Sequence, residues 1–121
     1  MTAHILVVDD SASMRQMVAF TLTGAGFTVT EAEDGVIALG KAKGAKFNAV
    51  VTDVNMPNMD GLTMAEKIRS ELRNSTLHII MLTTESSPNM KERGKAAGIK
   101  GWIVKPFKGE AVLETFKRLA G

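Results

Sequence analysis

The sequence predicts an α/β fold: five parallel strands in one sheet, with helices on both faces, forming a three-layer (βα)5 sandwich. Three observations carry that expectation. Short apolar runs rich in β-branched residues recur along the chain, beginning with Ile5-Leu6-Val7-Val8, and a continuous run of this kind marks a strand buried on both faces. Stretches with apolar residues at helical spacing separate the runs, the pattern of repeated βα units. No linker, repeat or low-complexity segment interrupts the alternation, so residues 1–121 read as one domain.

The first strand is residues 5–8. A helix follows Asp9-Asp10, with Ser13 and Gln16 spaced as a capping box. Met14, Met17, Val18 and Leu22 recur along it, and Gly24 or Gly26 ends it. Residues 27–32 read as the second strand, and Asp34-Gly35 as the turn into a short helix carrying Val36 and Leu39. The third strand is 47–52, stopping at Asp53. A loop dense in turn residues, 54–61, leads to a third helix marked by Leu62, Ala65, Ile68 and Leu72. The fourth strand is 78–82, ending at Thr83. Ser86-Ser87-Pro88-Asn89 opens a fourth helix that Gly98 terminates, and 102–104 is a short fifth strand followed by Lys105-Pro106. The last helix carries Val112, Leu113, Phe116 and Leu119. Right-handed crossovers are assumed.

In an open parallel sheet, ligands bind beyond the carboxyl ends of the strands. The polar residues at those ends are Asp9 and Asp10, Asp53, Thr83 and Lys105. Singly, each has a plain explanation: an Asp-Asp pair often caps a helix, and a lone lysine is usually a surface lysine. Together they place three carboxylates, a hydroxyl and an ammonium on one rim. Three carboxylates in close contact repel one another, and a hard cation with oxygen ligands resolves the conflict. Magnesium suits such a set, with Asp10 and Asp53 as direct ligands, Asp9 holding a coordinated water, and the backbone carbonyl of Asn55 adding a ligand. The metal would neutralise phosphoryl oxygens while a carboxylate attacks phosphorus. Lys105 would add positive charge, and Thr83 a hydrogen bond.

Composition narrows the alternatives. With 45% hydrophobic and 23% charged residues the chain can close a core and is not disordered. The absence of cysteine removes disulfides, thiolate nucleophiles and cysteine-held metals. No apolar run reaches membrane-spanning length, and no signal peptide is visible, so a cytoplasmic domain with no membrane partner is expected. Residues 1–60 hold four Lys/Arg and seven Asp/Glu, against eleven and six in 61–121. That asymmetry can mean nucleic-acid binding. With five Phe, one Trp and no Tyr, none inside the basic stretches, it reads instead as an acidic site plus solvated basic helices, and no nucleic-acid partner is expected. His4 and His78 each begin a strand, lack a partner at metal-binding spacing, and read as structural. Met56 and Met59 flank the loop after Asp53 and are expected to cover the site.

These residues resemble the receiver domains of two-component response regulators, the CheY-like single-domain chemotaxis regulators in particular. The resemblance runs the whole chain, from Ile5-Leu6-Val7-Val8-Asp9-Asp10 through Asp53-Val54-Asn55-Met56-Pro57-Asn58-Met59-Asp60-Gly61 and Leu82-Thr83-Thr84-Glu85 to Lys105-Pro106-Phe107. It implies a flavodoxin-like sheet of strand order 2-1-3-4-5. It further implies Asp53 as phospho-acceptor, Asp9 and Asp10 as magnesium-binding, Thr83 as switch hydroxyl, Lys105 as phosphate-binding lysine, and a cis Lys105-Pro106 bond. Trp102 stands where the family usually carries a Tyr or Phe that swings inward, and is expected to be a mobile, partly exposed ring. Thr84 replaces the more usual Ala or Gly and would narrow access for bulky donors. Asn55 and Glu85 fall where the family tunes the lifetime of the phosphate.

The implied function is a phosphorylation-activated switch that catalyses only its own phosphorylation and dephosphorylation. The expected partners are a histidine kinase as phosphodonor, a possible phosphatase, and an output protein, the flagellar motor switch; the chain is expected to be a monomer. The output face would present Lys91, Arg93, Lys95, Lys100, Trp102, Lys108, Lys117 and Arg118, a basic rim around one aromatic that could dock an acidic or amphipathic peptide. No effector domain is expected beyond Gly121, and output through another protein is expected with that. A phosphorelay intermediate or phosphate sink is the alternative use. A haloacid-dehalogenase-type phosphohydrolase is the rival from another class; Asn55 stands where that family needs a second, acid-donating Asp. An inert binding module is the third.

Overall fold

Strands β1 (His4–Val8), β2 (Thr28–Ala32), β3 (Ala49–Thr52), β4 (His78–Thr83) and β5 (Ile99–Val104) pair in parallel, in the order β2-β1-β3-β4-β5. They alternate with α1 (Ala12–Gly24), α2 (Gly35–Gly44), α3 (Gly61–Glu71), α4 (Pro88–Ala96) and α5 (Gly109–Ala120). The computed structural model describes residues 3–73, 77–84, 87–105 and 109–120, the last without the side chains of 118–120. Among the described residues no helix is long and apolar enough to cross a membrane.

The inner strands are apolar between their end residues because both faces are covered. Leu6, Val8, Val50, Ile79 and Met81 face one core with residues of α2, α3 and α4. Ile5, Val7, Val51, Ile80 and Leu82 face the other, with Val18 and Leu22 of α1 and Val112 and Phe116 of α5. Each such buried side chain contributes about 1.5–3 kcal/mol relative to exposure.

Several element ends differ from the sequence expectation. Helix α1 is capped by Ser11, whose Oγ accepts the Met14 N–H at 3.4 Å. Ser13 already lies inside the helix, so it cannot cap it with Gln16. The buried stripe of α1 is Val18, Ala19 and Leu22, with Met14 and Met17 only half-buried. In α2, Gly35, Ala38 and Leu39 are buried; Val36 lies about 100° round the helix from Gly35 and is 50% exposed. Strand β5 runs six residues rather than three. Its pairing with β4 shifts between Ile79 and Ile80, which face Ile99 and Gly101, so Lys100 is an extra, bulged residue. Gly101 is needed there, since a Cβ would stand 2.9 Å from Thr115 Cγ2 of α5. The Lys105-Pro106 bond and Phe107 lie outside the described residues.

His4 and His78 sit at the amino ends of their strands, far from the carboxylates. His4 Nε2 shares a 2.7 Å hydrogen bond with Thr30 Oγ1, and its ring lies 4.4 Å from that of Phe47. His78 Nδ1 is buried with no hydrogen-bond partner among the described residues.

Asp34 caps α2 and also pins the loop after β3. Its Oδ1 accepts from Ile37 N at 2.9 Å and its Oδ2 from Asn58 Nδ2 at 2.9 Å. The hydrogen bonds from Ile37 and Asn58 hold its carboxyl below the ordinary 3.8, so its contribution is present above that pH. Asp34→Ala should cost about 1–2 kcal/mol in urea unfolding at pH 7. That difference should shrink as pH falls below 3.8 and through the lower folded value; a difference that persists undiminished at pH 2 would remove the carboxylate from the account.

Candidate functional site

The carboxyl ends of β1, β3, β4 and β5 build the site. Val8 pairs with Thr52, so the next residue of each strand, Asp9 and Asp53, emerges side by side. Asp53 N donates to Val8 O at 3.0 Å, which fixes that alignment past the last strand pair. Asp9 is 3% exposed; its Oδ1 accepts from Ser11 N at 2.9 Å and its Oδ2 from Lys105 Nζ at 3.1 Å. Asp53 is half-buried, with Oδ1 accepting from Val54 N at 2.7 Å and Oδ2 from Lys105 Nζ at 3.0 Å. Asp10 is exposed and accepts no hydrogen bond from a described residue. One carboxylate oxygen from each of Asp9, Asp10 and Asp53 lies within 4.8 Å of the others.

Among the described residues, one ammonium answers three carboxylates. Burial works against the charge on Lys105, but the hydrogen bonds it donates to Asp53 and Asp9 outweigh it and hold the ammonium above its ordinary range. At Asp9 burial wins, and the carboxyl is pushed up despite Ser11 and Lys105. The site is thus under-neutralised, its donors are hard oxygens, and a divalent cation fits it.

The surrounding groups lock the rim. Thr83 is fully buried at the end of β4, and its carbonyl accepts from Lys105 N at 2.9 Å. Arg15 of α1 donates to Asp9 O at 2.8 Å and to Glu31 Oε1 at 3.0 Å, tying helix, β1 and β2 together beneath the carboxylates. The loop after Asp53 closes tightly: Gly61 N donates to Val54 O at 2.8 Å. A Cβ at residue 61 would fall 2.0 Å from Asp53 O, so only glycine lets α3 start there.

Asp9, Asp10, Asp53 and Lys105 therefore converge, with Thr83 beside them. Asn55 is exposed in the loop and Thr84 exposed after β4; Glu85 lies outside the described residues. Met56 and Met59 are half-buried and pack against the core shared by α2, α3 and α4, so they serve as loop anchors rather than a cover over the site. Trp102 is half-buried, packs against that same core, and pairs with Met81 two residues short of the rim. A Cβ at Gly94 of α4 would stand 3.0 Å from Trp102 Cζ3, so the indole is seated on a glycine that sequence reading did not single out. Of the basic residues assigned to the output face, Lys91, Lys95, Lys100 and Lys117 are exposed. Arg93 is exposed there too, with its guanidinium paired to Glu66 at 2.8 Å. Lys108 and the Arg118 side chain lie outside the described residues. A crevice of about 190 Å³ opens between α4 and β5, lined by Lys91, Lys95, Ile99, Lys100, Gly101 and Trp102.

Comparison with known proteins is consistent along the chain. A model of the response regulator receiver domain matches residues 5–117. Chemotaxis protein CheY of Pseudomonas aeruginosa is 35% identical over 116 residues, 95% of this chain and 94% of the relative. Chemotaxis protein CheY-3 of Vibrio cholerae is 38% identical over 116 residues, 95% of this chain and 89% of the relative. The solved structure of the chemotaxis response regulator CheY4 of Vibrio cholerae is similar at a TM-score of 0.91 and 47% identity, covering 98% of this chain and 99% of that one.

Under-neutralisation has a thermal signature. In metal-free buffer Asp10→Asn should raise the unfolding midpoint by about 1–3 °C, by removing one repelling charge. Millimolar magnesium should raise the wild-type midpoint through selective binding to the folded chain and raise that of Asp10→Asn much less. A wild-type midpoint unmoved by magnesium would show that the cluster holds no cation.

Proposed function

The chain belongs to the response regulator receiver domain family, as a CheY-like receiver of a two-component system, and from that premise we propose that its switch is the phosphorylation of Asp53. The observation that carries this reading is Lys105 Nζ held between Asp9 and Asp53, 3.1 and 3.0 Å away, inside a cluster of three carboxylates. A group placed to neutralise two carboxylates is placed equally well to neutralise a phosphoryl group on one of them.

In the proposed step an Asp53 carboxylate oxygen attacks the phosphorus of a phosphohistidine on a histidine kinase. The O–P bond forms and the P–N bond breaks; the electron pair returns to the imidazole nitrogen, which takes up a proton. Lys105 follows the developing charge onto the phosphoryl oxygens, and the Thr83 hydroxyl donates to one of them. Asp10 and Asp53 would hold magnesium directly, Asp9 through a water, and the Asn55 carbonyl would add a ligand; when bound, the ion supplies positive charge to the phosphoryl oxygens. Asp9 suits the indirect role because it is buried, whereas Asp53 is half-buried and Asp10 exposed. Water then attacks phosphorus, the O–P bond to Asp53 breaks, and phosphate leaves. Asn55 and Glu85 set the rate of that step, while Thr84 restricts bulky donors.

Output follows from the movement of Thr83 and Trp102, which shifts the face of α4, β5 and α5 toward its partner-binding form. The names of the curated relatives support chemotaxis as the setting; in this reading the output partner is a flagellar motor switch, and the chain acts as a cytoplasmic, monomeric signalling protein rather than an enzyme with outside substrates. The basic crevice beside Trp102 suits an acidic or amphipathic peptide.

Intact mass followed over time in acetyl phosphate and magnesium tests the reading. Wild type should gain one phosphoryl group and lose it on removal of the donor, while Asp53→Asn gains none. An equal adduct on Asp53→Asn would move the acceptor elsewhere. No adduct with continuous release of phosphate would favour the hydrolase, and neither adduct nor release an inert module.

A further inference from the structure

Helix α4 is attached to the molecule differently from its neighbour α3. Of its nine residues only Gly94 is buried, Met90 is half-buried, and Lys91, Glu92, Arg93 and Lys95 are exposed. So thin an apolar face gives little packing. In its place are two arginine clasps running in opposite directions. Arg69 of α3 donates from Nε to Ala97 O and from Nη2 to Gly98 O, both at 3.0 Å, closing the carboxyl end of α4. Arg93 of α4 donates from Nε to Glu66 Oε2 at 3.0 Å and from Nη2 to Glu66 Oε1 at 2.8 Å, a two-pronged pair on α3. Its Nη2 also donates to Thr63 Oγ1 at 3.0 Å.

Thr63 carries the connection onward. Its Oγ1 donates to Asp60 Oδ2 at 2.9 Å, and its backbone N–H donates to Asp60 Oδ1 at 2.8 Å. Asp60 caps α3 immediately before Gly61, the glycine wedged against the Asp53 carbonyl. A chain of hydrogen bonds therefore runs from Asp60 through Thr63 and Arg93 to α4, and it starts beside Gly61, which packs against the Asp53 carbonyl and donates its N–H to Val54 O. It reaches the residue next to Gly94, the seat of Trp102, without passing through Thr83.

We propose that Arg93 is a positioning residue of the switch: its clasp on Glu66 and Thr63 makes α4, and the Trp102 seat it carries, follow the first turn of α3 and so the loop after Asp53. The link to phosphorylation rests on reading Asp53 as the acceptor; the hold of Arg93 on α4 does not.

The test compares wild type, Arg93→Gln, Arg93→Lys, Glu66→Gln and the Arg93→Gln/Glu66→Gln double variant. Trp102, the chain's one tryptophan, reports by fluorescence while intact mass measures phosphorylation by acetyl phosphate and magnesium. At equal phosphoryl occupancy, the phosphorylation-induced change in Trp102 emission should fall about two- to fivefold in each Gln variant. It should fall no further in the double variant and recover in part with Lys. An unaltered emission change, or single effects that add, overturns the proposal; so does a lower urea midpoint with the emission change intact, the mark of a merely structural pair. If wild type takes up no phosphoryl group, it is the Asp53 reading that fails. Hydrogen exchange then decides the clasp: residues 91–96 of Arg93→Gln should exchange at least about twofold faster than wild type with β1 and β3 unchanged, and equal exchange overturns it.

Discussion

Lys105 reaches across a strand to meet Asp9 and Asp53, and that reach sets terms for much of the rim. It follows β5 at the sheet edge, whereas Asp53 follows β3 and Asp9 follows β1, with β4 lying between β5 and β3. Neighbouring strands stand about 4.8 Å apart, so the ammonium must pass over the end of β4. A long flexible side chain can do this only if the residue beneath it stays low. Thr83 is fully buried there and offers its carbonyl to Lys105 N at 2.9 Å, fixing the lysine's starting point. The β5 bulge at Lys100 adjusts the register upstream, so that Val104 pairs with Thr83 and Lys105 comes out just past it. The edge strand, its bulge and the threonine are parts of one arrangement that delivers one positive charge to three negative ones.

The carboxylates impose a second condition, on the loop after β3. Asp53 must stay aligned with Asp9 while the chain turns at once into α3. The structure meets this by wedging Gly61 against the Asp53 carbonyl, closing the loop from Gly61 N to Val54 O, and tying Asn58 to the α2 cap Asp34. Asn58 adopts a φ of 69° to make the turn, a conformation asparagine tolerates better than most residues. The loop, α2 and α3 therefore form one rigid block behind the acidic site.

Most of this frame is legible in the sequence, for a physical reason. Strands buried on both faces leave continuous apolar runs, and a parallel sheet sends the residue after each run to the same rim, so Asp9, Asp53, Thr83 and Lys105 can be collected without knowing a single contact. What escapes is whatever depends on a partner distant in sequence or on one side chain's volume. Ser11 and Ser13 both suit a helix start, and only the path of the chain after Asp10 selects the first. Lys100 looks like an ordinary strand residue until the pairing with β4 shows it bulged. Gly94 looks like a weak point in a helix until Trp102 is found lying on it. Arg93 looks like one more solvated charge until Glu66, distant in sequence on α3, is seen to hold it.

That last difference bears on how a switch of this build can move. Helix α3 buries Gly61, Leu62, Met64, Ala65 and Ile68, and displacing it would empty the core beneath it at several kcal/mol. Helix α4 buries Gly94 alone and half-buries Met90; the rest of its hold is hydrogen bonds and an ion pair, contacts that can be exchanged for solvent at small net cost. A change at the rim worth a few kcal/mol is too small to repack α3 yet large enough to rearrange α4. The sheet and α3 are thus suited to transmit position without deforming, and α4 to respond. The glycine under Trp102 lies on that helix, so the one tryptophan of the chain is seated on the element with the thinnest apolar attachment.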